Sequence, residues 1–193
     1  MNLRSNIILD KLGAAALALL LALWPAGPTC GSPRGASFEY QLKAAFLLNF
    51  TRYIEWPRKS SGANDLNLCV VGPDVFGTAL DEVAANKVVN GRRIVIRRNV
   101  ATPEAASCDL VYISLAETRQ IREALQALES LSVLTVGEEA AFLRMGGMIA
   151  FAPQDGKLGF YINASAAERA GIAVSSRLMA LSRNLRDEGE RRR

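Results

Sequence analysis

The residues of this sequence with the clearest chemical potential are its three cysteines, Cys30, Cys69 and Cys108. Cys69 lies within an apolar run at residues 66–71, and Cys108 begins another at residues 108–113. If these runs are neighbouring parallel strands, both cysteines lie toward the same side of the sheet, as a disulfide requires. We therefore predict a Cys69–Cys108 disulfide that closes a loop of about 40 residues and is worth roughly 4 kcal/mol. Two buried free thiols are the alternative, since the spacing of a redox-active Cys-x-x-Cys pair does not occur.

Histidine is absent from all 193 residues. Its absence excludes Ser-His-Asp and Cys-His catalysis, every zinc site that uses histidine, and the two-histidine iron sites. Carboxylates at Asp109, Glu117 and Glu138 could still act as acids or bases, but no paired spacing supports that role. We predict that the protein is not an enzyme and that it holds no metal and no cofactor.

The composition indicates an ordinary globular domain. Hydrophobic residues make up 50% of the chain, and the net charge is +4. The lysines and arginines are scattered, apart from a basic run at the end of the chain, so we predict no binding of nucleic acid. The length suits one domain together with a segment that is removed.

Residues 1–31 have the three parts of a secretory signal peptide. Arg4 and Lys11 lie in the charged start, an apolar run follows at residues 12–24, and small residues precede a cleavage point after Gly31. Cleavage after Ala36 is a second option. Two other hypotheses are a retained membrane anchor and lipidation of Cys30. We predict export, which leaves Cys69 and Cys108 as an even pair in an oxidising compartment.

Hydrophobic periodicity predicts alternating helices and strands in the remaining chain, residues 32–193. Asn90-Gly91 and Asp155-Gly156 each stand between apolar runs, which is typical of tight β-hairpins. The pattern predicts the α/β class: a single compact domain with a mixed, mostly three-layer α/β/α sheet and marginal β-hairpins. We expect helices at 38–56, 75–85, 117–128, 138–145, 164–170 and after 175, and strands at 66–71, 87–96, 108–113, 131–136, 148–152 and 157–162.

Two segments and the cysteine pair resemble the YfiR-like periplasmic proteins. The first segment is YQLKAAFLLNFTRYIEWP at residues 40–57, and the second extends from Gly146-Gly147 to Leu178. The resemblance implies a periplasmic domain, a tendency to form a homodimer, and the binding of a membrane diguanylate cyclase through that enzyme's periplasmic sensor domain. It also implies repression of the cyclase, with low cyclic di-GMP and less exopolysaccharide and biofilm.

The chain departs from this family pattern at two places. No cysteine follows Cys108, so a second disulfide of the type member is missing. Tyr161 stands where the family often has a glutamate. A charged partner contact at that position therefore cannot be carried over.

We predict five residues that bind the partner. Phe151 and Tyr161 belong to the hairpin that follows Gly147, and alternation along its second strand predicts that Phe160 is buried and Tyr161 exposed. The other three are Glu168, Arg169 and Arg52. The alternative for these three residues is that they are solvated at the surface and contact no partner.

Four further residues are predicted to be structural. Gly146 and Gly147 allow a sharp turn of the backbone. They do not form a phosphate-binding loop, because the Gly-x-x-x-x-Gly-Lys spacing of such a loop does not surround them. Asn163 caps the helix that follows it, and Trp56 belongs to the apolar stripe of the first helix.

The resulting hypothesis is a periplasmic binding protein that represses a membrane diguanylate cyclase. The alternative is a small-molecule sensor module for another membrane receptor, such as a sensor histidine kinase, with its ligand at the strand ends.

Overall fold

The computed structural model describes residues 34–57, 65–154 and 156–182. The predicted signal peptide and Cys30 lie outside these residues. The helices are α1 (Arg34–Arg52), α2 (Ala79–Ala84), α3 (Thr118–Leu128), α4 (Glu139–Arg144), α5 (Ala164–Arg169) and α6 (Ser176–Leu181). The strands are β1 (Ile54–Glu55), β2 (Asp65–Val71), β3 (Val88–Val89), β4 (Arg92–Val100), β5 (Leu110–Ile113), β6 (Leu134–Glu138), β7 (Ile149–Gln154), β8 (Lys157–Ile162) and β9 (Ala173–Val174).

Seven strands form one sheet in the order β3-β4-β2-β5-β6-β7-β8. The five central strands are parallel, whereas β3 and β8 pair antiparallel at the two edges. The predicted Asn-Gly hairpin joins β3 to β4, with φ angles of 50° at Asn90 and 79° at Gly91, as a tight hairpin turn requires. The predicted α/β class, with hairpins at the margins of the sheet, is confirmed.

Apolar layers cover both faces of this sheet. One layer receives side chains from α1, α2, α5 and α6, including Leu47, Phe50 and Leu178. The other receives side chains from α3, α4 and a short 3₁₀ helix at Glu104–Ser107, including Leu125 and Leu128. Helices on both faces of a mainly parallel sheet bury its strands completely, and all four residues of β5 are buried.

Several element boundaries differ from the sequence prediction. Helix α2 begins at Ala79 rather than at residue 75, because Asp74 forms a local turn in which its carboxylate accepts the Phe76 N–H at 3.0 Å. Strands β1 and β9, which the sequence did not predict, pair Ile54 with Val174 and so connect the end of α1 to the C-terminal region. Within the described ranges, every helix is too short or too polar to cross a membrane.

Candidate functional site

The disulfide lies between two neighbouring parallel strands. Cys69 belongs to β2, and Cys108 stands two residues before the start of β5, with the two Cα atoms 6.2 Å apart. Both cysteines are fully buried. The predicted Cys69–Cys108 bond is present.

A partly buried ion pair, in which Asp109 is buried and Arg92 is not, lies next to the disulfide at the amino ends of the strands. The Asp109 carboxylate accepts hydrogen bonds from Arg92 Nη2 at 2.8 Å and from the Asn67 N–H at 2.9 Å. The Trp56 indole N–H donates to the Asp109 carbonyl at 3.2 Å, which links the segment after α1 to β5. The predicted place of Trp56 in the apolar stripe of the first helix is wrong, because α1 ends at Arg52 and Trp56 follows β1. The contacts nevertheless give Trp56 a structural role, and they place Asp109 in a structural ion pair.

A second polar cluster lies at the opposite, carboxyl ends of β5 and β6. We call it the Lys43 cluster; its members are Glu39, Tyr40, Lys43, Tyr112 and Glu138. Lys43 Nζ donates to Glu138 Oε1 at 2.8 Å and lies 2.6 Å from Glu39 Oε1, while the Tyr112 hydroxyl donates to the same Glu138 oxygen. The ammonium also lies 4.6 Å from the centre of the Tyr40 ring, within cation–π distance.

Lys43, Tyr40 and Tyr112 hold their protons at neutral pH. Burial lowers the pKa of Lys43, but hydrogen bonds and charges from Glu138 and Glu39 outweigh burial, and the net pKa is raised. Burial and the hydrogen bond to Glu138 raise the pKa of Tyr112, and burial and the Glu138 charge raise that of Tyr40. The ammonium therefore stays charged and both phenols stay neutral. This state favours binding and positioning over proton transfer.

The topology places this cluster near a common ligand-binding position. Among the five parallel strands, the chain first moves outward from β2 to β4 and then returns to β5 on the other side of β2. Open α/β sheets bind ligands at the carboxyl ends of the strands where the order reverses in this way.

Two concave surfaces share Glu138 and Glu139. The first, which we call the switch-point cavity, has a volume of about 340 Å³ and lies beside Tyr40, Tyr112 and Ser114. The second, the α1 groove, has a volume of about 790 Å³. Its lining residues are mostly apolar and come from α1, β7 and β8: Phe38, Leu42, Phe46, Phe151, Pro153 and Leu158.

The described part of the chain has no group of three or more cysteine, aspartate or glutamate side chains arranged to bind a metal ion.

Two predicted partner residues lie in the interior. Phe151 is 2% exposed and packs in the apolar layer that contains α1. Tyr161 is 3% exposed and packs in the layer on the other face of the sheet, which contains α3. The alternation that separated Phe160 from Tyr161 was correct, and Phe160 is buried as predicted. The prediction that Tyr161 is exposed was wrong, because helices cover both faces of the sheet even at its edge hairpin.

The other three predicted partner residues are accessible. Arg52, Glu168 and Arg169 are exposed, and the Nε of Arg169 lies 3.9 Å from a Glu129 carboxylate oxygen at the surface. Their role in partner binding stays a prediction.

The two predicted turn glycines serve different purposes. Gly146 has φ of 104°, a conformation that side chains disfavour. Gly147 lies against the ring of Phe142, and a Cβ atom at Gly147 would overlap it. Gly137 meets the other side of the same ring, so the ring is held between two backbone segments and cannot move aside. No pattern in the sequence indicated this close approach.

Asn163 caps α5 as predicted. Its side-chain oxygen accepts the Ala166 N–H at 3.1 Å, and its amide nitrogen donates to the Leu143 carbonyl at 3.2 Å. Asn163 thereby connects α5 to α4.

The Lys43 cluster was not predicted from the sequence. A lysine within the apolar stripe of α1 was the available signal, because lysine is rarely buried without a partner. The partner, Glu138, is 95 residues away in the sequence.

Comparisons with known proteins agree with this architecture. A solved structure titled as a conserved domain protein from Vibrio cholerae O1 biovar eltor str. N16961 matches 74% of this chain with a TM-score of 0.50 and 14% sequence identity. The chain spans 58% of the length of that protein. At this identity the likeness concerns the fold alone. A family model described as YfiR/HmsC-like matches residues 40–183. Because this match covers most of the sequence, the chain belongs to the YfiR/HmsC-like family.

Proposed function

We propose that this protein represses a membrane-bound diguanylate cyclase by binding the periplasmic sensor domain of that enzyme. Membership of the YfiR/HmsC-like family over residues 40–183 is the observation that carries the proposal. Proteins of this family are periplasmic regulators and are not known as enzymes.

Features of the chain agree with this role. A buried disulfide suits an oxidising compartment, where the N-terminal signal peptide would deliver residues 32–193. Lys43 and Asp109 each hold an opposite charge within the fold, so the contacts that they make are structural.

Repression requires a difference in affinity between two states of the cyclase. If the protein binds the inactive conformation more tightly, binding lowers the active population, cyclic di-GMP falls, and exopolysaccharide and biofilm decrease. We propose Arg52, Glu168 and Arg169 as accessible partner contacts, and a homodimer as the working form.

Gene deletion in the native host tests this function directly. We expect intracellular cyclic di-GMP to rise after deletion and to return when the wild-type chain is supplied. Glu168→Arg combined with Arg169→Glu should restore repression poorly, whereas Arg119→Glu, which changes an exposed residue of α3, should restore it fully. Unchanged cyclic di-GMP after deletion would rule the function out.

The switch-point cavity favours a second function, a small-molecule sensor module for another membrane receptor. Its volume of about 340 Å³ lies within the range of small-ligand sites, and it occupies the strand ends where such sheets bind ligands. A thermal-shift screen of periplasmic metabolites tests it. A genuine ligand should raise the melting temperature of the wild type and not that of Ala116→Trp, because Ala116 lines the cavity and a tryptophan there takes up part of its volume. A screen in which no compound behaves this way counts against a sensor.

A further inference from the structure

The α1 groove is an apolar surface that nothing in the described chain covers. Of the four large apolar side chains that the described residues expose, Phe38 and Leu42 line this groove, with 67% and 37% of their surfaces accessible. They lie four residues apart on α1 and so share one face of the helix. Clustered, exposed apolar side chains of this kind mark interaction sites.

The groove also adjoins an open sheet edge. Strand β8 is the last strand of the sheet, and among the described residues it pairs only with β7. Lys157 and Leu158 belong both to this strand and to the groove. The outer backbone N–H and C=O groups of an edge strand are a template on which another extended chain can pair.

The charge at the groove is opposite to that of the whole protein. Glu39, Glu138 and Glu139 line it together with the exposed Lys157 and the buried Lys43, which pairs with Glu39 and Glu138, so the formal charge of the lining is −1. The full chain carries a net charge of +4. A locally acidic, apolar groove on a basic protein selects for an apolar partner segment that carries lysine or arginine.

We propose that the α1 groove binds an extended segment of the protein partner, in which apolar residues alternate with lysine or arginine, as an additional strand on β8. The inference rests on the proposed function, since that partner is the periplasmic domain of the cyclase. In this mode the backbone of β8 supplies hydrogen bonds and the apolar wall accepts alternate side chains, while Glu139, the lining carboxylate that is not paired with Lys43, attracts the basic residues.

A random-peptide library displayed on phage tests the groove without requiring the identity of the cyclase. Purified, oxidised protein should enrich peptides in which apolar and basic residues alternate. The affinity of a synthetic copy should fall about tenfold or more in Phe38→Glu and in Leu42→Glu, as for central interface residues. Both positions are exposed, so neither change should unfold the protein. The control matched to Phe38 is Leu181→Glu, which changes an apolar residue on α6 outside the groove with 64% of its surface accessible, and this variant should bind normally.

Hydrogen exchange identifies the binding mode. The bound peptide should slow amide exchange in residues 157–162, as an added strand would, and added salt should weaken its affinity. Enrichment of acidic peptides, or affinity that is the same in Phe38→Glu and the wild type, would overturn the inference. So would a dimer, measured by sedimentation, that dissociates in Phe38→Glu, because the groove would then join two copies of this chain.

The cellular assay separates this inference from the proposed function. If deletion raises cyclic di-GMP and Phe38→Glu represses as well as the wild type, the groove proposal fails while the function stands. If deletion leaves cyclic di-GMP unchanged while the peptide results hold, the function fails and the groove remains a peptide-binding site.

Discussion

Replacing Lys43 with methionine should destabilise the fold, although methionine is apolar and similar in length. Lys43 is 2% exposed and joins α1 to the end of β6 through Glu138. Without the ammonium, the carboxylates of Glu39 and Glu138 face each other with no cation between them. The unfolded chain does not share this cost, since water solvates its charges.

The exposure of the partners sets the size of the effect. Breaking a fully buried ion pair costs about 3–5 kcal/mol. Glu138 is 40% exposed and still accepts the Tyr112 hydroxyl, so we expect a loss of about 2 kcal/mol for Lys43→Met. Glu138→Gln keeps an acceptor for Lys43 and should cost about 1–2 kcal/mol. The double variant should lose at least about 1 kcal/mol less than the sum of the two single losses.

Urea unfolding at pH 7 with the disulfide intact measures these losses. The raised pKa of Lys43 means that its contribution is fully present below about pH 10.4, the value of an unfolded lysine, so neutral pH reports the whole effect. A loss of about 2 kcal/mol should lower the urea midpoint by about 1 M. The control is Arg119→Met, which removes an exposed ion pair of the same 2.8 Å length and should leave the midpoint unchanged.

Two results would refute this reasoning. One is a Lys43→Met protein as stable as the wild type, since the pair would then contribute nothing beyond an apolar contact. The other is strict additivity of the two single changes, because residues in direct contact must be energetically coupled.

Four further predictions concern other parts of the fold. Reducing the Cys69–Cys108 bond should lower the free energy of unfolding by about 4 kcal/mol in urea titrations, and reductant should not affect a variant with serine at both positions. Gly147→Ala should cost about 1–3 kcal/mol, measured in the same way, because its Cβ overlaps the confined aromatic ring; an unchanged midpoint would contradict the close approach. Asn163→Ala should cost about 1 kcal/mol through the lost helix cap, and aspartate at this position should recover most of it. The raised pKa of Tyr112 means that the unfolded chain ionises this phenol first, so stability should fall as the pH rises above about 10, and Tyr112→Phe should make this fall shallower.

Local sequence patterns were sufficient for most of the secondary structure. The Asn90-Gly91 pair determines its hairpin because few residues adopt the two consecutive positive φ angles that such a turn needs. Asn163 caps its helix as predicted, since a cap depends only on a side chain and a backbone N–H three residues later. The continuous apolar runs around Cys69 and Cys108 indicated buried parallel strands, and the disulfide followed from their pairing.

Other features depend on contacts between distant parts of the chain. The alternation along β8 separated Phe160 from Tyr161, but only the packing of helices on both faces of the sheet decided that both are buried. Element boundaries moved for a similar reason: α1 ends at Arg52 where β1 begins its pairing with β9.

By itself, the sequence determined the α/β class, the hairpins, the cap at Asn163 and the cysteine pair. Each of these depends on residues that are close along the chain or on strands that alternate regularly with helices. The export segment stays a prediction from the sequence. Only the tertiary structure brought Lys43 to Glu138, placed Phe142 between two glycines, and left the α1 groove open beside β8. The physical reason is that periodicity specifies which face of an element is apolar, whereas the element that covers this face is selected by packing across the whole domain.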